Sequence, residues 1–378
     1  MVTYAPQPLA RRRASLVGRF DVVVSGASIA LAILGVVMVY SATRVKLALS
    51  GTNPHYYLDR QAVFVVIGIV VMVGVALFDY RRLEPWATVL YVGTVFALLG
   101  VFVVGSHALG SQRWYALGPL QLQPSEFATL TLIVAIATYC ARRPEGLVFR
   151  DLVRLVLMVG VPALMIIKQP DLGTGIVVSI ILLVMLAVAG MPGRYLLLLV
   201  VGATVVVVVA LQVGLLQKYQ IQRLTSFISP NSAGETATYN VTQAKNAIGS
   251  GGLLGTGVFR GAQTNLSYVP FQQTDFIFSA VGEQLGFVGG AITILVYGLL
   301  GWRILRIAQQ SKDIFGRMIC GGVFALLTFS VFENVGMNMG IMPVAGIPLP
   351  FLSYGGSAAI VFFIAAGLVQ SVRARSIR

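Results

Sequence analysis

The chain has 378 residues, of which 57% are hydrophobic and 11% charged, with a mean hydropathy of +0.85; that is more apolar material than a soluble core of this length can bury, so a soluble protein is excluded. The net charge of +14 invites a nucleic-acid reading, but no basic patch interleaved with aromatics supports one. Sorting the charges along the chain gives a membrane explanation instead: with the N-terminus inside, 18 of the 27 Lys and Arg fall on the inner side and nine outside, so the positive-inside rule puts both termini in the cytoplasm.

In chain order, the first predicted element follows the run Arg11, Arg12, Arg13. Basic residues before an apolar segment resemble a signal peptide, yet the segment at 22–43 is long enough to span and no small-residue cleavage site follows it. Apolar stretches near the roughly 20 residues that cross a bilayer then recur. They are expected at 22–43, 61–79, 86–105, 124–141, 153–169, 172–190, 194–215, 276–301, 317–341 and 351–371. The fold class is therefore an all-α polytopic membrane protein, one domain over 1–378, with about ten transmembrane helices. A long outer loop at 216–274, between the seventh and eighth spans, is rich in Gly, Asn, Gln, Ser and Thr. A loop of that length in an economical protein is more often functional than idle.

The acids divide by this topology. Asp21, Asp79, Glu84, Glu145, Asp151 and Asp313 belong to inner connections, where solvation or helix capping accounts for them. Asp59, Glu126, Asp171, Glu235, Asp275, Glu283 and Glu333 lie outside or within spans. Ionisable groups at membrane depth are costly and mark a pathway, a relay or a site. Asp275 stands where the long outer loop returns to the membrane, in FQQTDFIFSAVGEQLG, with Glu283 eight residues on. It could cap the eighth helix; equally, a carboxylate between an apolar wall and a wet cavity suits a general base. Glu126 follows Pro124 and Ser125 at a helix start, and Asp171 sits at a tight bend in KQPDLGTG. The outer cations Arg113, Lys168, Lys218, Arg223, Lys245 and Arg260 suit a phosphate-bearing ligand.

No nucleotide loop, HExxH pair or GxSxG elbow occurs, and His55 and His107 are too few for a metal site. What remains is a membrane-embedded enzyme or carrier working at the outer face on something anionic and lipid-soluble.

Six stretches carry a resemblance: MVYSATR at 38–44, GSQRWYALGPLQLQPSE at 110–126, KQPDLGTG at 168–175, AIGSGGLLGTG at 247–257, TDFIFS at 274–279 and NVGMNMGIMPVAGIPLPFLSYGGSA at 334–358. In this order they resemble the SEDS family (shape, elongation, division and sporulation), and its RodA branch more than its FtsW branch. The resemblance implies a peptidoglycan glycosyltransferase that polymerises lipid II at the outer face of the bacterial cytoplasmic membrane, for cell elongation and shape. It implies Asp275 as the essential acid, with Arg113, Trp114, Glu126 and Asp171 inside matching motifs. Undecaprenyl pyrophosphate would leave with inversion, and Arg113, Arg223 and, more weakly, Lys245 are expected to neutralise it. Lipid II, a polyprenyl-linked nascent glycan and a class B penicillin-binding protein are the implied partners, in a lipid membrane and without nucleic acid. A divalent cation (Mg or Mn) could share the charge, without a dedicated ligand set.

Two departures stand out. Where the family has Pro-Glu-x-His before its acid, this chain has Pro270, Phe271, Gln272 and Gln273, and where the family has Lys after its PSE acid, this chain has Thr129. The glycines and prolines of 340–356 are expected to bend the last two spans around a groove for the polyprenyl tail. The competing class is a carrier, a lipid II flippase or other precursor transporter, in which Asp171, Glu126 and Glu333 bind or relay cations.

Overall fold

The computed structural model describes residues 19–108, 111–117, 120–213 and 235–376. Long helices occupy all ten expected spans: α1 (Val22–Leu49), α2 (Tyr56–Leu77), α3 (Leu83–Val104), α4 (Pro124–Ala141), α5 (Phe149–Lys168), α6 (Leu172–Val188), α7 (Gly193–Gln212), α10 (Ile277–Gln310), α11 (Ile314–Asn338) and α12 (Gly356–Ser376). Two more, α8 (Glu235–Ser250) and α9 (Ala262–Asn265), lie in the long loop. Seven helical stretches pass a length-and-hydropathy test for crossing a membrane, and α6 and much of α7 are shorter apolar helices.

The outer faces of α2, α3 and α7 keep Val, Leu and Phe exposed, while α4, α11 and α12 are buried on most sides. In water such a surface would be a liability; in hydrocarbon it is the expected exterior.

Three features depart from expectation. The segment at 105–126 contains strands β1 (Ser106–Ala108), β2 (Ser111–Leu117) and β3 (Leu120–Leu122) in an antiparallel sheet with β2 central, where only helix and loop were expected. Short strands in a Gly- and Gln-rich stretch carry no hydropathy signal that a spanning-helix window can register. The eighth span is two helical pieces merged across Gly286, whose φ of 67° and ψ of −166° break the helix. Last, residues 339–355 do not bend two spans but form the connection between them. α11 stops at Asn338, α12 starts at Gly356, and Ile347, Leu349, Phe351 and Leu352 between them are buried in the core. Gly35 makes room for this return, since a β-carbon there would stand 2.7 Å from the Leu352 backbone.

The end of the bundle opposite Asp275 is held by acids that cap helices, as expected, but Asp21 and Asp151 are buried rather than solvated. Asp21 accepts from the Val23 and Val24 amides at the start of α1, and it meets Arg303 of α10 at 2.6 Å and Arg373 of α12 at 3.9 Å. Burial raises its carboxyl pKa, but the Arg303 hydrogen bond, the Val24 amide and both arginine charges outweigh this and leave it below the ordinary value. A depressed carboxylate stabilises the fold above its unfolded pKa and loses that contribution as pH falls through the folded one. The bundle is therefore expected to lose stability in the acid range, below about pH 4. Arg303→Met removes the nearer cation of Asp21, which is only 4% exposed, and leaves Arg373 at 3.9 Å. Because Arg303 itself is partly exposed, the cost belongs at the low end of about 3–5 kcal/mol, read as a lower melting temperature in detergent that recovers in the double variant with Asp21→Asn.

Candidate active site

The turn that carries Asp275 is fixed through its backbone. Phe271 adopts a left-handed conformation, φ 54°, and its carbonyl collects the amides of Thr274, Asp275 and Phe276. The next carbonyls are claimed by a different part of the chain. Gln273 O accepts from the Tyr354 amide at 2.8 Å and Thr274 O from Ser353 Oγ at 2.5 Å. Asp275 O accepts from Asn334 Nδ2 at 2.8 Å and Asn338 Nδ2 at 3.2 Å. Three successive carbonyls are thus pinned by the end of α11 and the segment before α12, and the half-buried Asp275 side chain projects from a backbone that cannot shift independently.

Capping is not what holds the acid: the N-cap of α10 is Phe276, with no side-chain bond, and Thr274 Oγ1 bonds back to Phe271 O. Asn334 also donates to Ile347 O, and Asn338 Oδ1 receives the Ser279 amide. Asn334→Leu, which removes the side-chain donor of Ile347 O and leaves Asp275 O with Asn338 alone, is expected to cost about 1–3 kcal/mol, measured by heat denaturation in detergent.

The first piece of α10, 277–285, is almost entirely buried, and the glycine-rich stretch closes over it. The helix breaks at Gly286, freeing the carbonyls of Glu283 and Gln284, and these accept from the amides of Thr256 (2.9 Å) and Gly257 (3.1 Å). In return, the amides of Phe287 and Val288 donate to the carbonyls of Gly252 and Leu253. Glu283, 0% exposed, accepts from the Gln263 and Thr264 amides at 2.7 and 3.0 Å and from Thr264 Oγ1 at 2.5 Å, so it organises the short helix α9. Its role is positioning: the carboxylate holds the loop. Ser41 and Arg44 of the MVYSATR stretch bind the same loop, Ser41 through Gln284 and Arg44 through the carbonyl and ring of Phe259.

A second grouping surrounds Asp171. As N-cap of α6 it accepts from the Thr174 amide and hydroxyl, Gln123 Nε2 and Ser125 Oγ. Glu126, half-buried, follows Ser125, which bonds that carboxylate from the first turn of α4. Thr129, at the position where the resemblance leads one to expect a cation, donates to Glu126's own carbonyl at 2.7 Å. Arg113 and Tyr115 alternate with Trp114 on β2, so the first two face the bundle and Trp114 faces away. Arg113 donates Nε to Gln169 O at 2.9 Å and Nη2 to Pro170 O, and Tyr115 reaches Ala97 O. Two of the three guanidinium nitrogens of Arg113 are thereby engaged in holding the bend before Asp171.

The two groupings meet through one segment. Ser353 and Tyr354 hold the Asp275 turn, while Ser357 accepts from the Gln123 amide and donates to Gln121 O. Lys245 is exposed on α8, its stem 3.2 Å from where a β-carbon of Gly340 would be. α8 is seated on Phe276, the neighbour of Asp275, by Ala244 and Ala247 with Met337 and Val344. Arg223 and Lys218 lie outside the described residues. Sequence reasoning passed over Asn334, Asn338 and Ser353, whose only sign was membership of a matching stretch. Among the described residues, no cluster of three His, Cys, Asp or Glu could hold a metal ion.

A many-span helical bundle that fixes one carboxylate at its end by backbone clamps, with carboxyl and guanidinium groups alongside, defines a polytopic membrane protein with an acidic site at one face. The chain belongs to the family of cell cycle proteins that takes its name from FtsW, RodA and SpoVE, whose profile matches residues 23–377. It is 38% identical over 346 residues to the peptidoglycan glycosyltransferase MrdB of Escherichia coli K12, covering 90% of this chain and 92% of that one. It is 34% identical to the stage V sporulation protein E of Bacillus subtilis, covering 90% and 93%. Among solved structures it is similar to a chain of a peptidoglycan synthase complex that coordinates polymerization and crosslinking, with a TM-score of 0.80, 30% identity, and 95% and 99% of the two chains covered. The rod shape determining protein RodA of Thermus thermophilus matches with a TM-score of 0.71 and 29% identity over 95% and 98%.

Proposed function

We propose that the protein is a peptidoglycan glycosyltransferase that polymerises lipid II at the outer face of the bacterial cytoplasmic membrane, with both termini in the cytoplasm. The observation that carries this reading is the triple carbonyl clamp on the Asp275 turn, which fixes the backbone from which this one carboxylate projects. A general base needs that fixity, because proton abstraction works only within hydrogen-bond reach of the attacking hydroxyl. Asp275 takes the proton of the 4-hydroxyl of the acceptor GlcNAc as the oxygen attacks the anomeric carbon of the donor MurNAc. The configuration inverts from α to β, and undecaprenyl pyrophosphate departs with the bonding pair.

Pyrophosphate leaves as a stable anion and needs charge neutralisation more than a proton. Lys245, Arg223 and the remaining donor capacity of Arg113 supply it. The donors Arg113 gives to Gln169 and Pro170 make it first a residue that positions the bend before Asp171. A divalent cation would reach this site with the pyrophosphate, since the described residues hold no ligand cluster for one; chelation with EDTA tests its contribution. The carrier reading is weakened at Asp171, whose carboxylate already receives four hydrogen bonds and has little left to offer a transported ion.

The partner that fits is a class B penicillin-binding protein, a transpeptidase that crosslinks the strands made here. The test is glycan polymerisation from lipid II by purified protein, with and without that partner. Polymer supports the enzyme; lipid II movement across liposomes without polymer would establish the carrier instead.

A further inference from the structure

The three carbonyl clamps fix Gln273, Thr274 and Asp275, the side of the turn that leads into α10. On its other side stands Gln272, next to the left-handed Phe271 and only 2% exposed. A buried amide is costly in an apolar chain unless its polar atoms are engaged. Here only the donors are engaged. Gln272 Nε2 donates to Thr264 Oγ1 at 3.2 Å and to Ser279 Oγ at 3.1 Å, whereas among the described residues its Oε1 has no hydrogen-bond partner.

The hydroxyls set the direction of these bonds. Thr264 Oγ1 gives its hydrogen to Glu283 Oε2 at 2.5 Å, and Ser279 Oγ gives its own to the Phe276 carbonyl at 2.7 Å. Each hydroxyl has one hydrogen, so each can only accept from position 272. A carboxylate there would bring acceptors to two oxygens whose hydrogens are already committed, and an apolar side chain would bring no donor. The amide also links two supports of the site. Through Thr264 it reaches Glu283, which holds α9. Through Ser279, whose amide donates to Asn338 Oδ1 at 3.1 Å, it reaches a residue that clamps the Asp275 carbonyl.

We infer that Gln272 is a positioning residue for glycan transfer: its paired donors lock the N-terminal side of the Asp275 turn to α9 and to the first turn of α10, so that the carboxylate meets the acceptor hydroxyl in one geometry. The inference rests on the reading of Asp275 as the general base. It accounts for the orphan oxygen, since the fold tolerates one buried acceptor without a donor in order to place two donors. Between the positions where the family pattern has an acid and an imidazole, this chain secures the approach to its base with a neutral amide.

Gln272→Met in the full chain, purified in detergent, tests this. Methionine keeps the length of the side chain, removes the unpartnered oxygen, and leaves Thr264 and Ser279 their bonds to Glu283 and Phe276. Melting temperature is therefore expected to stay close to wild type. In lipid II polymerisation kcat is expected to fall about 10–100-fold with KM unchanged, because a displaced base weakens the transition state and not substrate binding. Hydrogen exchange at the Thr274 and Asp275 amides is expected to quicken. In the background Thr264→Val/Ser279→Ala, which removes both acceptors, the same substitution is expected to leave kcat unaltered. Wild-type kcat in Gln272→Met, unchanged exchange, a fall in melting temperature that accounts for the lost activity, or the full loss repeated in the Thr264→Val/Ser279→Ala background would each overturn the assignment and leave the polymerase reading in place. No polymer from wild type, or full activity in Asp275→Asn, would remove that reading and this assignment with it.

Discussion

Asp275→Asn is expected to lower glycan polymerisation from lipid II by about 10²–10⁴-fold, the range that a positioned general base contributes, while leaving the fold intact. Asparagine keeps the size of the side chain and removes its negative charge and its basicity. The structure adds a reason to expect a clean result. The contacts that hold this turn run through the carbonyls of Gln273, Thr274 and Asp275, not through a side-chain cap on α10, so the backbone anchors survive the substitution. Melting temperature and helix content should therefore match wild type within experimental scatter. Polymerisation at the wild-type rate would move the chemistry off this carboxylate, and a large loss of thermal stability would make Asp275 a structural residue.

The spans were legible because hydropathy alone specifies what can cross a bilayer, and Asp275 because a carboxylate is conspicuous in so apolar a chain. Its supports were not legible. Asn334, Asn338 and Ser353 are neutral, lie 59, 63 and 79 residues away from their acceptors, and act on backbone carbonyls that carry no sequence identity. Arg113 shows a different limit. Its charge suggests phosphate, whereas the structure first uses its geometry, two parallel donors on the carbonyls of Gln169 and Pro170. Glu283 and Asp171 repeat the lesson: each reads as a membrane acid, and each is occupied by amide and hydroxyl donors at the start of a helix. Scarcity of charge marks where polar groups gather, but which of them faces a ligand depends on how many donors the fold has already spent on each.

The glycine-rich stretch was read only as a matching motif, and its physical meaning gives the second large effect. Gly255 and Gly286 approach so closely that a β-carbon on Gly255, φ 83°, would stand 2.2 Å from Gln284 O, and one on Gly286, φ 67°, would stand 2.3 Å from Gly255 N. Neither space nor conformation admits a side chain there. Gly252, in the same loop with φ 55°, has nothing within 4 Å of its would-be β-carbon. The pair separates two causes. Gly252→Ala meets only the left-handed backbone penalty, about 1–2 kcal/mol, and should remain active. Gly255→Ala adds a backbone clash that forces apart the loop and the broken carbonyls of α10, releasing the hydrogen bonds of Thr256 and Gly257 to Glu283 and Gln284. Because the buried piece of α10 leads directly from the Asp275 turn, that separation should abolish polymerisation and open the loop to proteolysis between α8 and α10. Limited proteolysis beside the lipid II assay checks both arms. Equal behaviour of the two variants would mean that the close approach at Gly286 does not hold the site, and that the loop owes its place to Glu283 and α9 alone.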